Sequence, residues 1–317
     1  MGFGLRDAQR GDGRAGRLMP VLALNEGPIA ELVKSEGSGR PVEEIVRGLA
    51  RQKLREADEI LSQIDPDWSP PPYDPFLVAQ ALGIRCKEVA APWLTDAMIF
   101  VQEGVPTILY RPDRSAVRTR SNIFHEIAHT LFPDYQYNPA YRSSGRPRLF
   151  EPEGQLEHFC DIAAAEFLMP MHLFEADLAR IGFAAASVQE LCSRYGASME
   201  AVCLRMVESD GACCTLALLE DWRNERKKRS DGYQVRVSYA APTSRFRQAG
   251  AYLPPCLVLG NRSCIHLASR SKKVASGEEC IELGGGRRQD FRIEALPLTS
   301  RPRRRGRTSV LAFFYPV

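Results

Sequence analysis

The sequence predicts an α+β protein whose first two thirds are mainly helical and whose last third is built from strands. From about residue 41 to residue 209, several segments repeat apolar residues every three or four positions, which is typical of amphipathic helices. One hairpin pattern interrupts them at residues 97–111. After residue 211 the pattern changes to short β-like runs separated by glycine and proline, which indicates a β-rich region.

Each predicted element rests on a local pattern. A proline-rich connector, DPDWSPPPYDP, ends the first helix, and Gly83 closes the second. The turn-forming EGVP separates the two hairpin strands. In chain order we expect helices at 41–64 and 76–83, strands at 97–102 and 107–111, and helices at 115–131, 155–168, 187–195 and 198–209. The C-terminal strands are expected in CCTLALL, YQVRVSY, CLVLG, FRIEALPL and VLAFFYP.

Composition limits the class of protein. The 317 residues suffice for two or three domains, and 44% hydrophobic content argues against wholesale disorder. With 42 basic and 39 acidic side chains, the net charge of +3 does not suit a chain that coats nucleic acid. The longest apolar runs fall short of the roughly 18 residues that span a membrane. Nine cysteines without CxxC spacing predict reduced thiols and a cytoplasmic location.

The helix expected at 115–131 contains FHEIAHTLFPD, in which His125, Glu126 and His129 form an HExxH motif. Residues four apart share one face of a helix, so both imidazoles can bind one cation with Glu126 beside them. Zinc accepts neutral histidine nitrogens, and three protein ligands leave a fourth position for water. The plainer alternative is a helix with two surface histidines, which does not account for the acids of the next helix.

That next helix carries Glu157 and Asp161, one turn apart in EHFCD. Glu157 is the expected third zinc ligand, and Asp161 is expected to accept the free N–H of a ligand histidine. The alternative is that both acids only solvate an exposed helix face. Glu151, Glu153 and Glu166 are fallback ligands, and Glu166 is the weakest of them because its offset from Glu157 turns it to another face.

FHEIAHTLFPD followed by EHFCDIAAAEFLMP resembles the ImmA/IrrE zinc metallopeptidases, a gluzincin-like family. The likeness covers about residues 65–207 and includes LCSRYGASMEAVCLRM, which is similar to the helix-turn-helix-like piece after the catalytic core. The family often has alanine and asparagine at Cys160 and Asp161, and glycine at Ala128. Asp161 restores the ExxxD spacing of thermolysin-like enzymes. The resemblance implies a zincin-like endopeptidase that cleaves helix-turn-helix repressors in stress or mobile-element responses.

In the implied mechanism, Glu126 takes a proton from the attacking water and delivers it to the leaving amine. A donor for the tetrahedral oxyanion is also required. Four side chains in or near the irregular segment 133–154 are candidates for this role, although each residue type more often packs or lies on the surface: Tyr135, Tyr137, Tyr141 and His172.

Four regions follow from these observations: a disordered leader (1–39), a zinc metallopeptidase domain (40–180), helix-turn-helix-like helices (181–210) and a β-rich sensory or docking domain (211–317). The second helix of the helix-turn-helix-like pair carries Glu200, Arg205 and Glu208, so direct DNA binding is not favoured. The basic run SRPRRRGR could attract phosphate or an acidic partner, but a solvated loop explains it at least as well. The alternative function is a DNA-associated regulator with a structural zinc; an intact Glu126 argues against it.

Overall fold

The computed structural model describes residues 39–132, 152–222, 234–260, 263–298 and 309–317, together with Ile29 and Leu32. In these ranges α-helices and two β-sheets are present, which confirms the α+β class. Three predicted features lie outside the described residues: nearly all of the leader (1–39), the charged connection 224–232 and the basic run 300–307.

The helical part opens with a long amphipathic helix. In the described ranges its helices are α1 (Val42–Ile64), α2 (Pro75–Ala81), α3 (Ala116–His129), α4 (Pro152–Leu168), α5 (Met171–Ile181), α6 (Val188–Tyr195) and α7 (Met199–Glu208). The inner face of α1 buries Ile45, Leu54 and Leu61 in the main core, as its spacing predicts. Asp74 caps α2 by accepting the N–H of Phe76 at 2.8 Å.

A three-stranded sheet lies between α2 and α3 in the chain. It contains β1 (Arg85–Glu88), β2 (Ala97–Gln102) and β3 (Val105–Tyr110) in the order β1-β3-β2, with β1 parallel and β2 antiparallel to β3. Glu103 and Gly104 both have positive φ and close the hairpin in two residues. The prediction that the second strand starts at residue 107 was therefore two residues short.

Helices α3 and α4 pack against each other in the main core. Phe124 of α3 stacks on Phe167 of α4 with ring centroids 5.9 Å apart. The small side chains of Ala163 and Ala164 are buried in the same stretch of α4. Small residues let helices approach closely, so the histidine-bearing face of α3 lies within reach of side chains on α4.

Helix α5 was not predicted, although it starts directly after Pro170 and buries Phe174 and Leu178 at helical spacing. It is tied to α6 through Asp177, which is buried and accepts the hydroxyl of Tyr195 at 2.8 Å. Helices α6 and α7 are joined by a turn at Gly196, whose φ of 59° lies in the left-handed region.

The second sheet has six strands in the order β6-β5-β4-β9-β8-β7, with antiparallel neighbours throughout. The elements of this part are β4 (Thr215–Trp222), β5 (Gln234–Pro242), α8 (Ser244–Gln248), β6 (Val258–Leu259), α9 (Cys264–Ser271), β7 (Ala275–Gly284), β8 (Arg287–Leu298) and β9 (Ser309–Pro316). Sequence patterns did not predict α8, α9 or β7. The missed strand β7 is an edge strand whose side chains are largely polar and partly exposed.

The two faces of this sheet enter different cores. On one face, side chains such as Leu218 and Phe313 join the core formed by the helices. On the other, side chains such as Leu219 and Phe314 pack in a second core with residues of α8 and α9. The ring of Phe313 meets Phe183 with centroids 5.6 Å apart. The predicted domain boundary at residue 211 stays a prediction, but the sheet shares a core with the helices.

All nine cysteines lie in the described ranges, and none forms a disulfide. Cys160, Cys203 and Cys214 are buried, whereas Cys256 and Cys280 are exposed. The other four are half-buried. Within the described ranges, the helices lack the combination of length and apolar character that crossing a bilayer requires.

Candidate metal centre

The HExxH motif occupies the last five residues of α3. Ser115 caps the start of this helix by accepting the N–H of Arg118, and Ile123, Phe124 and Ile127 bury its inner face. Glu126 and His129 are each only 5% exposed, whereas His125 is half-buried. The motif therefore sits at the edge of the core.

The two histidine rings lie next to each other. Their centroids are 5.1 Å apart and their planes make an angle of 74°. One nitrogen of each ring and one carboxylate oxygen of Glu126 lie within 4.8 Å of one another. Such a group can hold a metal ion, and its spacing is the one that four-residue separation on a helix predicts.

Glu157 of α4 faces both rings. Its Oε2 is 3.0 Å from Nε2 of His125, and its Oε1 is 3.6 Å from Nε2 of His129. The side chain is one-third exposed, so the group lies open to solvent on this side. Glu157 therefore contacts both rings from the facing helix.

Asp161 lies on the other side of His125. Its Oδ1 is 3.0 Å from Nδ1 of that ring, and its side chain is 73% exposed. Because Nε2 of His125 faces Glu157, the Nδ1 hydrogen is the one that Asp161 can accept. This is the position that the sequence assigned to Asp161.

Cys160 is a neighbour of the group that sequence reasoning missed. Its buried Sγ lies 3.4 Å from Nδ1 of His129. In the sequence, Cys160 is distinguished only as a departure from the family pattern. Its position directly before Asp161 could have indicated this contact. Adjacent residues of one helix can reach different rings of a histidine pair, so Asp161 beside His125 places Cys160 near His129.

The electrostatics of the group favour a positive charge at His125. Burial by itself lowers the pKa of this imidazole, but hydrogen bonds with Asp161 and Glu157, together with the charge of Glu126, raise the pKa to about 10. The carboxylates that stabilise a proton on this ring also stabilise a cation between the two rings.

The donor set fits zinc. Two imidazole nitrogens and a carboxylate oxygen are ligands that zinc commonly takes, and ligands of a tetrahedral zinc stand roughly 3.3 Å apart. The two separations from Glu157 to the Nε2 atoms, 3.0 and 3.6 Å, bracket that value. His125, His129 and Glu157 are therefore the side chains that would hold a zinc ion at this site.

Glu166 has a different role from the fallback ligand considered above. Its carboxylate is buried and binds Arg205 of α7, with Oε2 to Nη2 at 2.5 Å. Arg205 also donates from Nε to the carbonyl of Met169 at 2.9 Å. Glu166 thus joins the end of α4 to α7. Of the other fallback ligands, Glu151 lies outside the described residues, and Glu153 is described only as a backbone position of α4.

Three of the four candidate donors for the oxyanion lie outside the described residues: Tyr135, Tyr137 and Tyr141. His172 lies at the second position of α5, where its side chain is exposed. None of the four is brought into the histidine group by a described contact.

Helix α7 is engaged in packing. Arg205 is 1% exposed and bound by Glu166, and Glu200 accepts the hydroxyl of Tyr239 of β5 at 3.0 Å. A recognition helix needs basic and polar side chains free to reach base edges. These contacts instead support the packing role predicted for the helix-turn-helix-like pair.

An HExxH helix beside a second helix that carries an acid is typical of zinc metallopeptidases. Comparison with known families agrees: residues 79–207 match the family described as "IrrE N-terminal-like domain", Peptidase_M78. This part of the chain is similar to that family, whose members are in general zinc metallopeptidases.

Solved structures add a likeness of fold. A "Mycobacterium tuberculosis transcriptional regulator" superposes with a TM-score of 0.50 over 85% of this chain and 88% of that chain, at 11% identity. At this identity the likeness concerns the fold alone. Among curated proteins, no sequence matches this chain.

Proposed function

We propose that this protein is a zinc-dependent endopeptidase that cleaves a helix-turn-helix transcriptional repressor. The observation that carries the proposal is the placement of Glu157 between the Nε2 atoms of His125 and His129, with Glu126 beside them. The match of residues 79–207 to a metallopeptidase family supports a peptide as the substrate class.

The proposed roles follow from the contacts. His125, His129 and Glu157 would hold zinc, which when bound lowers the pKa of a water molecule and polarises the scissile carbonyl. Glu126 would accept the proton of the attacking water and pass it to the leaving amine. Asp161 would hold the His125 ring in place through Nδ1.

Glu126 is placed for this role by its position on α3 between the two histidines. Its side chain is 5% exposed, and one of its carboxylate oxygens lies within 4.8 Å of a nitrogen of each ring. The partly exposed side of Glu157 marks where a peptide and the attacking water would enter.

Two variants separate zinc binding from catalysis. We expect the purified protein to bind about one zinc, and Glu157→Ala to lose it. Glu126→Gln should keep the zinc and lower the rate of cleavage by about 10²- to 10⁴-fold, the range for a general base. Zinc content is measured by atomic spectroscopy and cleavage by mass spectrometry of the products. Undiminished cleavage by Glu126→Gln would remove this mechanism.

The substrate is sought among repressors encoded beside this protein's gene. Each is incubated with wild-type protein and with Glu126→Gln, and new N-termini are mapped by mass spectrometry. The proposal requires a repressor fragment that forms only with the wild type and zinc. A wild-type protein that holds zinc but cleaves none of these repressors would refute this substrate class while leaving the metal site intact.

A further inference from the structure

The buried thiol of Cys160 contacts a histidine of the proposed metal centre. Its Sγ is 3.4 Å from Nδ1 of His129, within hydrogen-bonding reach for sulfur, and the residue is fully buried on α4. The opposite ring nitrogen, Nε2 of His129, faces Glu157 at 3.6 Å. The thiol and the acid therefore meet the two different nitrogens of one imidazole.

This arrangement fixes what each nitrogen does. A neutral imidazole carries one hydrogen, and the nitrogen that binds a metal must be the one without it. If Nε2 of His129 binds zinc, Nδ1 carries the hydrogen. Sulfur of a cysteine is a weak acceptor, and the Sγ of Cys160 lies where it can accept that hydrogen.

We propose that Cys160 is a positioning residue for His129: its sulfur accepts the Nδ1 hydrogen, and it thereby holds the ring with Nε2 towards the metal. The inference rests on the zinc site of the proposed function. Cys160 acts through the imidazole and is not itself a ligand, because its sulfur meets the nitrogen that points away from Glu157.

The neighbouring residue does the same for the other ring. Asp161 binds Nδ1 of His125 at 3.0 Å, and Cys160 binds Nδ1 of His129. Successive residues on a helix point about 100° apart, so one pair of α4 residues reaches two rings. The two supports differ in strength: an exposed carboxylate holds His125, and a buried cysteine sulfur, a weaker acceptor, holds His129.

Zinc affinity tests the proposal without any measurement of proteolysis. Partners that orient a ligand histidine typically contribute 10- to 100-fold to metal affinity. Because a thiol is a weak acceptor, we expect Cys160→Ala to bind zinc about 10-fold more weakly, at the low end of that range. Cys160→Ser keeps an acceptor on the same carbon and should recover part of the loss. Affinities are measured by competition with a chelator of known strength.

Cys203→Ala is the matched control. Cys203 is also fully buried in the main core, so the change leaves a cavity of the same size in α7, away from both histidines. It should weaken folding much as Cys160→Ala does while leaving zinc affinity at the wild-type value. Equal losses of zinc affinity in the two alanine variants would assign the effect to packing and overturn the proposal.

Two spectroscopic readouts report on the His129 ring directly. In the zinc-loaded protein, ¹⁵N NMR should show a protected Nδ1–H for each ligand histidine, and Cys160→Ala should expose that of His129 while keeping that of His125. The Co²⁺-loaded wild type should lack the thiolate-to-cobalt absorption of a cysteine ligand. Such absorption, or an unchanged His129 N–H in Cys160→Ala, would overturn the proposal.

The outcomes separate this inference from the proposed function. A wild type that binds zinc and cleaves no peptide refutes the peptidase and leaves the role of Cys160 standing on the affinity data. A wild type that cleaves its substrate, with Cys160→Ala and wild type equal in zinc affinity, refutes only the role of Cys160. A wild type that binds no zinc refutes both.

Discussion

At the scale of single residues, the proposed centre depends on side chains that contact the Nδ1 atoms of the two histidines, on the side of each ring opposite to Nε2. Asp161 is the most exposed of them, with Oδ1 3.0 Å from Nδ1 of His125. Because the carboxylate lies largely in solvent, its removal costs the fold little. Its contact with the ring nevertheless sets which nitrogen of His125 is available to a metal.

We therefore expect Asp161→Ala to weaken zinc binding by about 10- to 100-fold with nearly unchanged stability of the zinc-free protein. Asp161→Asn retains an oxygen acceptor and should lose less. Chelator competition measures the affinity, and urea unfolding after zinc removal measures the stability. Glu175→Ala, an exposed acid on α5, is the control and should change neither. An Asp161→Ala variant with wild-type affinity would contradict the role assigned to this carboxylate.

The sequence predicted much of the centre because the pattern is local. Four-residue spacing on one helix brings His125 and His129 together whatever the rest of the fold does. Glu157 and Asp161 were assigned from their spacing on the next helix, and their placement at the rings is the geometry reported above. Cys160 was missed because a thiol in an apolar stretch resembles a core residue until the packing of α3 on α4 is known.

At the scale of elements, the end of α4 is fixed by a buried ion pair. Glu166 and Arg205 are each 1% exposed, and Arg205 also binds the Met169 carbonyl beyond the helix end. Arg47 and Arg51 of α1 lie farther from the same carboxylate, at 3.8 and 3.9 Å. Side chains of helices α1 and α7 therefore meet at the carboxylate of Glu166 on α4.

Arg205→Met should lower the free energy of unfolding by about 3–5 kcal/mol, because it removes the closest charged partner of the buried Glu166 and leaves it the Met171 N–H at 3.2 Å and the longer contacts to α1. The double variant Glu166→Leu/Arg205→Met removes both charges and should recover part of that loss. Urea unfolding is the measurement. Lys53→Met breaks an exposed pair with Glu56 and should cost less than about 1 kcal/mol. A double variant less stable than Arg205→Met would contradict this account.

Elements without a strong local pattern were the ones that the sequence did not predict. The four residues of β1 have no apolar alternation, and they form a strand only because β3 offers a parallel edge. In strand β7 the inward positions include Gly277 and Glu279 between the buried Ala275 and Ile281, so apolar alternation is weak and the segment resembles a loop until β8 is seen to pair with it. Pairing partners distant in the chain decide such strands, and periodicity does not reveal them.

At the scale of the whole molecule, the six-stranded sheet joins the helices through one face. The sequence predicted a strand in VLAFFYP, but it did not predict that the helices cover one of its faces. Phe313 belongs to the helical core, whereas Phe314, its neighbour in sequence, belongs to the second core. A further contact is the bond from the Ala185 N–H to Glu294 of β8, at 2.8 Å.

We expect the helical part and the sheet to unfold in one transition. Phe313→Ala and Phe314→Ala should each cost about 3–5 kcal/mol and shift the same midpoint. In a Trp222→Phe background the remaining tryptophans, Trp68 and Trp93, precede the sheet, so fluorescence reports the helical part. Its urea curve should coincide with that of circular dichroism in both variants. A Phe314→Ala protein whose fluorescence midpoint stays at the wild-type value would show that the two parts unfold separately.

Three side chains of α4 contact the histidines, and they fall within five residues: Glu157, Cys160 and Asp161. Inserting or deleting a single residue upstream within that helix would rotate all three side chains by roughly 100° relative to α3. No single compensating substitution can restore three positions at once. Over evolutionary time, changes of chain length are therefore expected before Pro152 or beyond Leu168, while α4 itself keeps a constant number of residues.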